Sequence, residues 1–144
     1  MQNMQDRISH RLMSEYLFDI SPELHKTCIE AVEPLLDNEH HIQEVFNYVL
    51  FKQNGVFNTE NAHLYLAVIY RIYSPMHLYS KDQKLKAGIR GRIASAFNYK
   101  NPEMINYFAD TVLPHFKNPR WAAQVNELAF EIVENIKSEL LDLE

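Results

Sequence analysis

A chain of 144 residues that is 47% hydrophobic and 23% charged, with only 3 Gly and 6 Pro, is large and apolar enough to bury one core without a disulfide or structural metal. That balance excludes a disordered or collagen-like polymer. The net charge is −5, and the single cysteine, Cys28, excludes an internal disulfide and any CxxC redox or zinc pair.

One thiol fits a reducing compartment, so the chain reads as soluble and cytoplasmic. The N-terminal stretch carries Asp6, Arg7, Arg11, Glu15 and Asp19, which interrupt any signal-peptide core. The most apolar run, Leu64 to Tyr73, is broken by Arg71 and is far shorter than the roughly 20 residues that span a bilayer.

Apolar residues recur at three and four rather than at two, which predicts about seven helices in one compact all-α domain over 1–144. The first runs near Asp6 to Phe18, with Ile8, Leu12 and Tyr16 on its inward stripe. Ser21-Pro22 reads as an N-cap followed by Pro at N1 and starts the second. On that helix Cys28, between Ile29 and the stripe ending at Val32, reads as a small core residue. Asn38 precedes a third helix near Glu39 to Lys52, and an Asn54-Gly55 turn with a cap at Asn58 or Thr59 leads into a fourth near Glu60 to Tyr73. The fourth has no polar face over Leu64 to Tyr73, so it is predicted at the centre of the domain. A fifth spans about Lys81 to Asn98, and Asn101-Pro102 and Asn118-Pro119 start the last two.

The chain also resembles itself. Ser21-Pro-Glu-Leu with Val32, Pro34 and Asn38 recurs as Asn101-Pro-Glu-Met with Val112, Pro114 and Asn118. Either two duplicated three-helix units, about 6–52 and 82–140, pack around the central apolar helix, or Pro at N1 recurs by chance.

No phosphate-cradling P-loop, GxSxG elbow, HExxH pair or Rossmann glycine fingerprint occurs. The chain therefore reads as non-enzymatic, with no cofactor implied. Glu60-x-x-His63, joined by His40 and Glu44, is the one set from which a metal-dependent helical enzyme could be built. The plainer reading has Glu60 favouring its helix N-terminus and both histidines at the surface.

Charge and aromatic placement point to a binding surface instead. Lys81, Lys84, Lys86, Arg90, Arg92 and Lys100 stand against Asp82 alone. They frame a buried stripe of Leu85, Ile89, Ile93 and Ala96. Opposite lie Ala87, Gly88, Gly91, Ala94 and Ser95, where two glycines together cost about 2 kcal/mol of helix propensity and so predict a close neighbour. Tyr73, Met76, His77 and Tyr79 crowd the Ser74-Pro75 turn, and Phe51, Val56 and Phe57 crowd Asn54-Gly55. Such rings either form an interface or pack onto the domain's own core.

The leading expectation is a protein-binding module, an adaptor or stoichiometric inhibitor of the immunity or antitoxin kind. Its partner protein would meet Tyr73, Met76, His77, Tyr79, Lys84, Lys86, Arg90, Arg92 and Lys100. The alternative is nucleic-acid or phosphate-ligand binding along Lys81 to Lys100, the second is the metal enzyme, and a homo-oligomer stays open.

Overall fold

The computed structural model describes residues 4–80, 85–101 and 103–142. Among them are seven α-helices and no strand: α1 Met4–Ile20, α2 Pro22–Val32, α3 Ile42–Lys52, α4 Ala62–Tyr73, α5 Ala87–Ala96, α6 Met104–Phe116 and α7 Pro119–Asp142. Short 3-10 turns cover Glu39–His41 and Pro75–Leu78.

Asn and Ser side chains explain where several of the helices begin. Ser21 Oγ accepts from the Leu24 amide at 3.2 Å, and Asn118 Oδ1 accepts from Arg120 N at 3.0 Å within the first turn of α7. Asn58 and Asn61 cap reciprocally, since Asn58 Oδ1 accepts from Glu60 N and Asn61 N while Asn61 Oδ1 accepts from Asn58 N. The predicted cap at Asn58 thus organises the approach to α4, which itself starts at Ala62. Asn54 and Gly55, at φ 57° and 78°, turn the chain after α3 in the left-handed region that these two residue types tolerate.

The uninterrupted apolar run of α4 ends up where its composition requires. Every residue of α4 except His63 is buried. Sheathing it are α3, α6 and α7, which present stripes at helical spacing: Val45 and Val49, Ile105, Phe108 and Val112, and Val125, Ala129, Ile132 and Ile136. Ile89 and Ile93 of α5 close the core from beside α3. An aromatic cluster of Phe46, Phe57, Tyr65 and Phe97, with ring centroids between 4.9 and 5.7 Å apart, fills the end beneath the Asn54-Gly55 turn.

The N-terminal helices depart from expectation. Leu12 and Tyr16 were predicted to face the core, yet they are 58% and 68% exposed. Cys28, predicted as a core residue, is exposed, because α2 contains no buried residue at all. Packing explains both results: α1 lies against α2, and α2 touches the rest of the domain chiefly at the Pro75–Leu78 turn. The segments related by self-similarity are therefore packed differently, α1 and α2 outside the core, α5 and α6 within it.

The fifth helix begins at Ala87 rather than near Lys81, and residues 81–84 lie outside the described set. Its two glycines also divide. A Cβ on Gly88 would come within 2.6 Å of Glu39 Oε1, whereas one on Gly91 would meet nothing within 4 Å. Gly88 thus lets the Glu39 carboxylate approach the N-terminal end of α5, where the helix dipole favours a negative charge. Gly91 has no close neighbour, against the expectation from sequence. Gly91→Ala should accordingly raise the unfolding free energy by about 1 kcal/mol in urea denaturation. Gly88→Ala should change it by less than about half of that, the propensity gain being offset as the carboxylate is displaced. A loss of stability at Gly91 would mean that another group needs that space.

Candidate protein-interaction surface

The α1–α2 hairpin is built from a one-residue connection. Ser21 N donates to Leu17 O at 2.8 Å, closing α1, while the Ser21 side chain opens α2. Across the hairpin Ser14 Oγ and His25 Nε2 share a 3.0 Å hydrogen bond, and Phe18 sets its ring edge-on to His25 with centroids 5.2 Å apart. These contacts use the side of α1 that carries Ser14 and Phe18. They leave the other side bare.

On that bare side Leu12, Met13, Tyr16 and Ile20 fall within a stripe about 100° wide at ordinary helical spacing. All four are exposed, by 58%, 68%, 68% and 62%. With Phe18, Leu24 and Ile29 they make seven large exposed apolar side chains within residues 12–29. The described remainder of the molecule supplies another seven, widely spread from Phe51 to Leu140. Glu15, Asp19, Glu23 and Glu30 outnumber Arg11 and Lys26 around the hairpin, and each base is tied to a hairpin acid, Arg11 to Glu15 at 3.2 Å and Lys26 to Glu30 at 3.9 Å. The surface is apolar with an acidic border.

The hairpin is joined to the body through backbone. Leu35 N and Leu36 N both donate to Ile72 O at the end of α4, at 2.7 and 3.3 Å. The Arg71 guanidinium donates to Glu30 O and Glu33 O at the end of α2. A cation at a helix C-terminus satisfies carbonyls that the helix leaves free and meets the negative end of its dipole.

The residues singled out from sequence differ in exposure. Tyr73 is buried, and its hydroxyl donates to Asn38 O at 2.9 Å, with burial pushing its pKa well up. Met76 and His77 are half-buried, His77 lying against Tyr70 at 5.3 Å, and only Tyr79 among these aromatic neighbours is exposed. The rings of the Ser74-Pro75 turn thus largely pack onto the domain itself. Lys86, Arg90 and Lys100 are exposed, Arg92 lies 3.8 Å from Glu39, and Lys81 and Lys84 fall outside the described residues. Phe51 is 77% exposed beside an open groove shared with Tyr48 and Glu139, whose carboxylate takes the Tyr48 hydroxyl at 2.7 Å.

The metal constellation also separates. His41 Nδ1, not His40, donates to Glu44 at 3.0 Å, and the His63 ring stacks on Trp121 and lies 4.7 Å from that of His115. Among the described residues no group of three or more His, Cys, Asp or Glu is placed to hold a metal ion, and no helix is long and apolar enough to cross a membrane. No family model matches this chain, and neither does any curated protein or solved structure.

The hairpin was missed because amphipathic periodicity reports a face that will be covered, not what covers it. Of the exposed stripe, Leu12 and Tyr16 were expected to face the core, and Met13 and Ile20 carried no such expectation. The His63 pair, by contrast, was visible only in three dimensions. Burial, and then the neighbouring His115, holds the His63 pKa below 6.5. The unfolded chain therefore binds protons more readily than the folded one below pH 6.5, so stability is complete above that value and falls as pH drops through the folded pKa. Thermal unfolding followed from pH 7.5 to 5.5 should show this decline, and His63→Gln should flatten it. An unchanged slope in the variant would assign the decline to other groups.

Proposed function

We propose that this chain is a non-enzymatic protein-binding module, an adaptor or stoichiometric inhibitor, that grips its partner through the α1–α2 hairpin. One observation carries the reading: among the described residues half of the large exposed apolar side chains lie within residues 12–29, on a hairpin whose second helix has no buried residue. Scattered apolar residues are ordinary on a protein surface, but a continuous helical stripe with an acidic border is the form in which a helix enters a partner's groove.

The area of the molecule supports the same reading. Its accessible surface is 9784 Å2 at 17.0 kDa. A compact monomer of that mass exposes roughly 7,700 Å2, so this chain leaves more surface open than a monomer whose helices all pack on one core. The acidic border selects a partner whose apolar groove is edged by Lys or Arg, since matched potentials speed encounter and suppress wrong pairings. The basic residues of α5, placed away from the hairpin stripe, are available for a secondary contact with acidic surface.

The test is affinity capture from host lysate with nuclease treatment in parallel, using the wild-type chain and a Met13→Glu/Tyr16→Glu variant. The expected result is one protein retained by the wild type at near-equal stoichiometry regardless of nuclease, and lost at least about ten-fold in the variant. Because both positions are solvent-exposed, the variant should keep its helix content and melting temperature. Equal retention by both chains would remove the hairpin from the interface. Recovery of nucleic acid that disappears at high salt would instead favour the basic residues of α5.

A further inference from the structure

Where the end of α2 meets α4 and α7, the structure holds a pocket of about 440 Å3, within the size range of small-molecule sites. Ala31, Pro34, Leu35 and Phe130 give it apolar walls, and Arg71 and Asn126 give it a polar one. Arg71 is only 4% exposed and is the one charged residue in the described core.

All its hydrogen-bond partners are neutral. Nε donates to Asn126 Oδ1 at 2.9 Å, one Nη to Glu33 O at 3.2 Å and the other to Glu30 O at 3.3 Å, and the Phe130 ring centroid lies 5.3 Å from Cζ. A guanidinium has five N–H bonds, so one on each Nη is left over. A permanently charged group has thus been withdrawn from water beside a cavity, and no carboxylate among the described residues is in ion-pair contact with it. Two remaining donors on adjacent nitrogens match the two oxygens of one planar anion.

We propose that this pocket binds a small monocarboxylate with an apolar, ring-sized body, its carboxylate held by Arg71 and its ring laid against Phe130. Glu30 and Glu33 also border the pocket, so a second negative charge on the ligand would be repelled. That disfavours phosphate, whereas a monoanion neutralised by the guanidinium is tolerated. Because the wall includes the last turn of α2, an occupied pocket also adds contacts where the hairpin joins the body. The site does not depend on what the hairpin binds.

Sodium benzoate is the probe, titrated into the full chain and followed through arginine Nε–H signals by proton–nitrogen NMR. Inorganic phosphate and benzyl alcohol serve as parallel arms. Benzoate should shift one slowly exchanging Nε–H saturably, with the signal absent from Arg71→Lys, and should bind at least about ten-fold more tightly than either comparator. Should Arg71→Lys fail to fold, Phe130→Ala, at a 47% exposed position, should retain the fold and weaken benzoate about five-fold. Shifts that rise linearly without saturating, equal affinity for benzyl alcohol, or undiminished binding in Phe130→Ala would each overturn the site and leave Arg71 as a staple for α2. Tighter binding of phosphate than of benzoate would overturn the carboxylate class.

Discussion

The enclosure of α4 governs the rest of the molecule. A twelve-residue helix with side chains such as Leu66, Ile69 and Ile72 fully buried must be covered on every side, at roughly 1.5 to 3 kcal/mol for each large side chain withdrawn from water. Three helices supply most of that cover, α3, α6 and α7, and each does so with a single stripe. Once those stripes are spent on α4, little apolar body surface remains for α1 and α2 to cover. The hairpin is what the core does not need.

The same constraint explains the one buried charge. Helix α4 runs without interruption from Leu64 to Tyr73, so Arg71 is carried inside by the helix that contains it. Its charge is made tolerable by the C-terminal carbonyls of α2 and the Asn126 amide oxygen, groups that themselves required donors. Among the described residues no buried side-chain polar atom lacks a partner, so each Arg71 nitrogen makes one hydrogen bond while two of its N–H bonds and its charge are left without a partner of their own. Hydrogen bonding and charge neutralisation are separate requirements, and the carbonyls around Arg71 meet only part of the first.

Much of the fold was legible because each relevant signal was local. Asn118 before Pro119, Ser21 before Pro22 and the Asn54-Gly55 turn specify their backbone through contacts within a few residues, and the all-apolar α4 can satisfy itself only by burial. The surface was less legible because it depends on which faces are left over. Leu12 and Tyr16 have the spacing of core residues, and the distinction between facing one's own core and facing solvent is made by α3, α6 and α7, far along the chain. Tyr73, expected at an interface, is buried for the converse reason. It is the last residue of the greasiest stretch, and the Asn38 carbonyl that takes its hydroxyl lies 35 residues away.

The joint between hairpin and body determines how the exposed stripe is presented. Residues 33–36 form no helix, yet Leu35 and Leu36 lend their amides to Ile72 O while Arg71, one residue earlier on α4, grips the last turn of α2. Two adjacent positions of the most deeply buried helix thereby hold both the connection and the helix that precedes it. A hairpin attached by a flexible linker would lose orientational freedom on docking, and that loss weakens binding. Anchored to α4 in this way, the Leu12, Met13, Tyr16 and Ile20 stripe stands pre-oriented on a buried foundation, so the core that excluded the hairpin also fixes its direction.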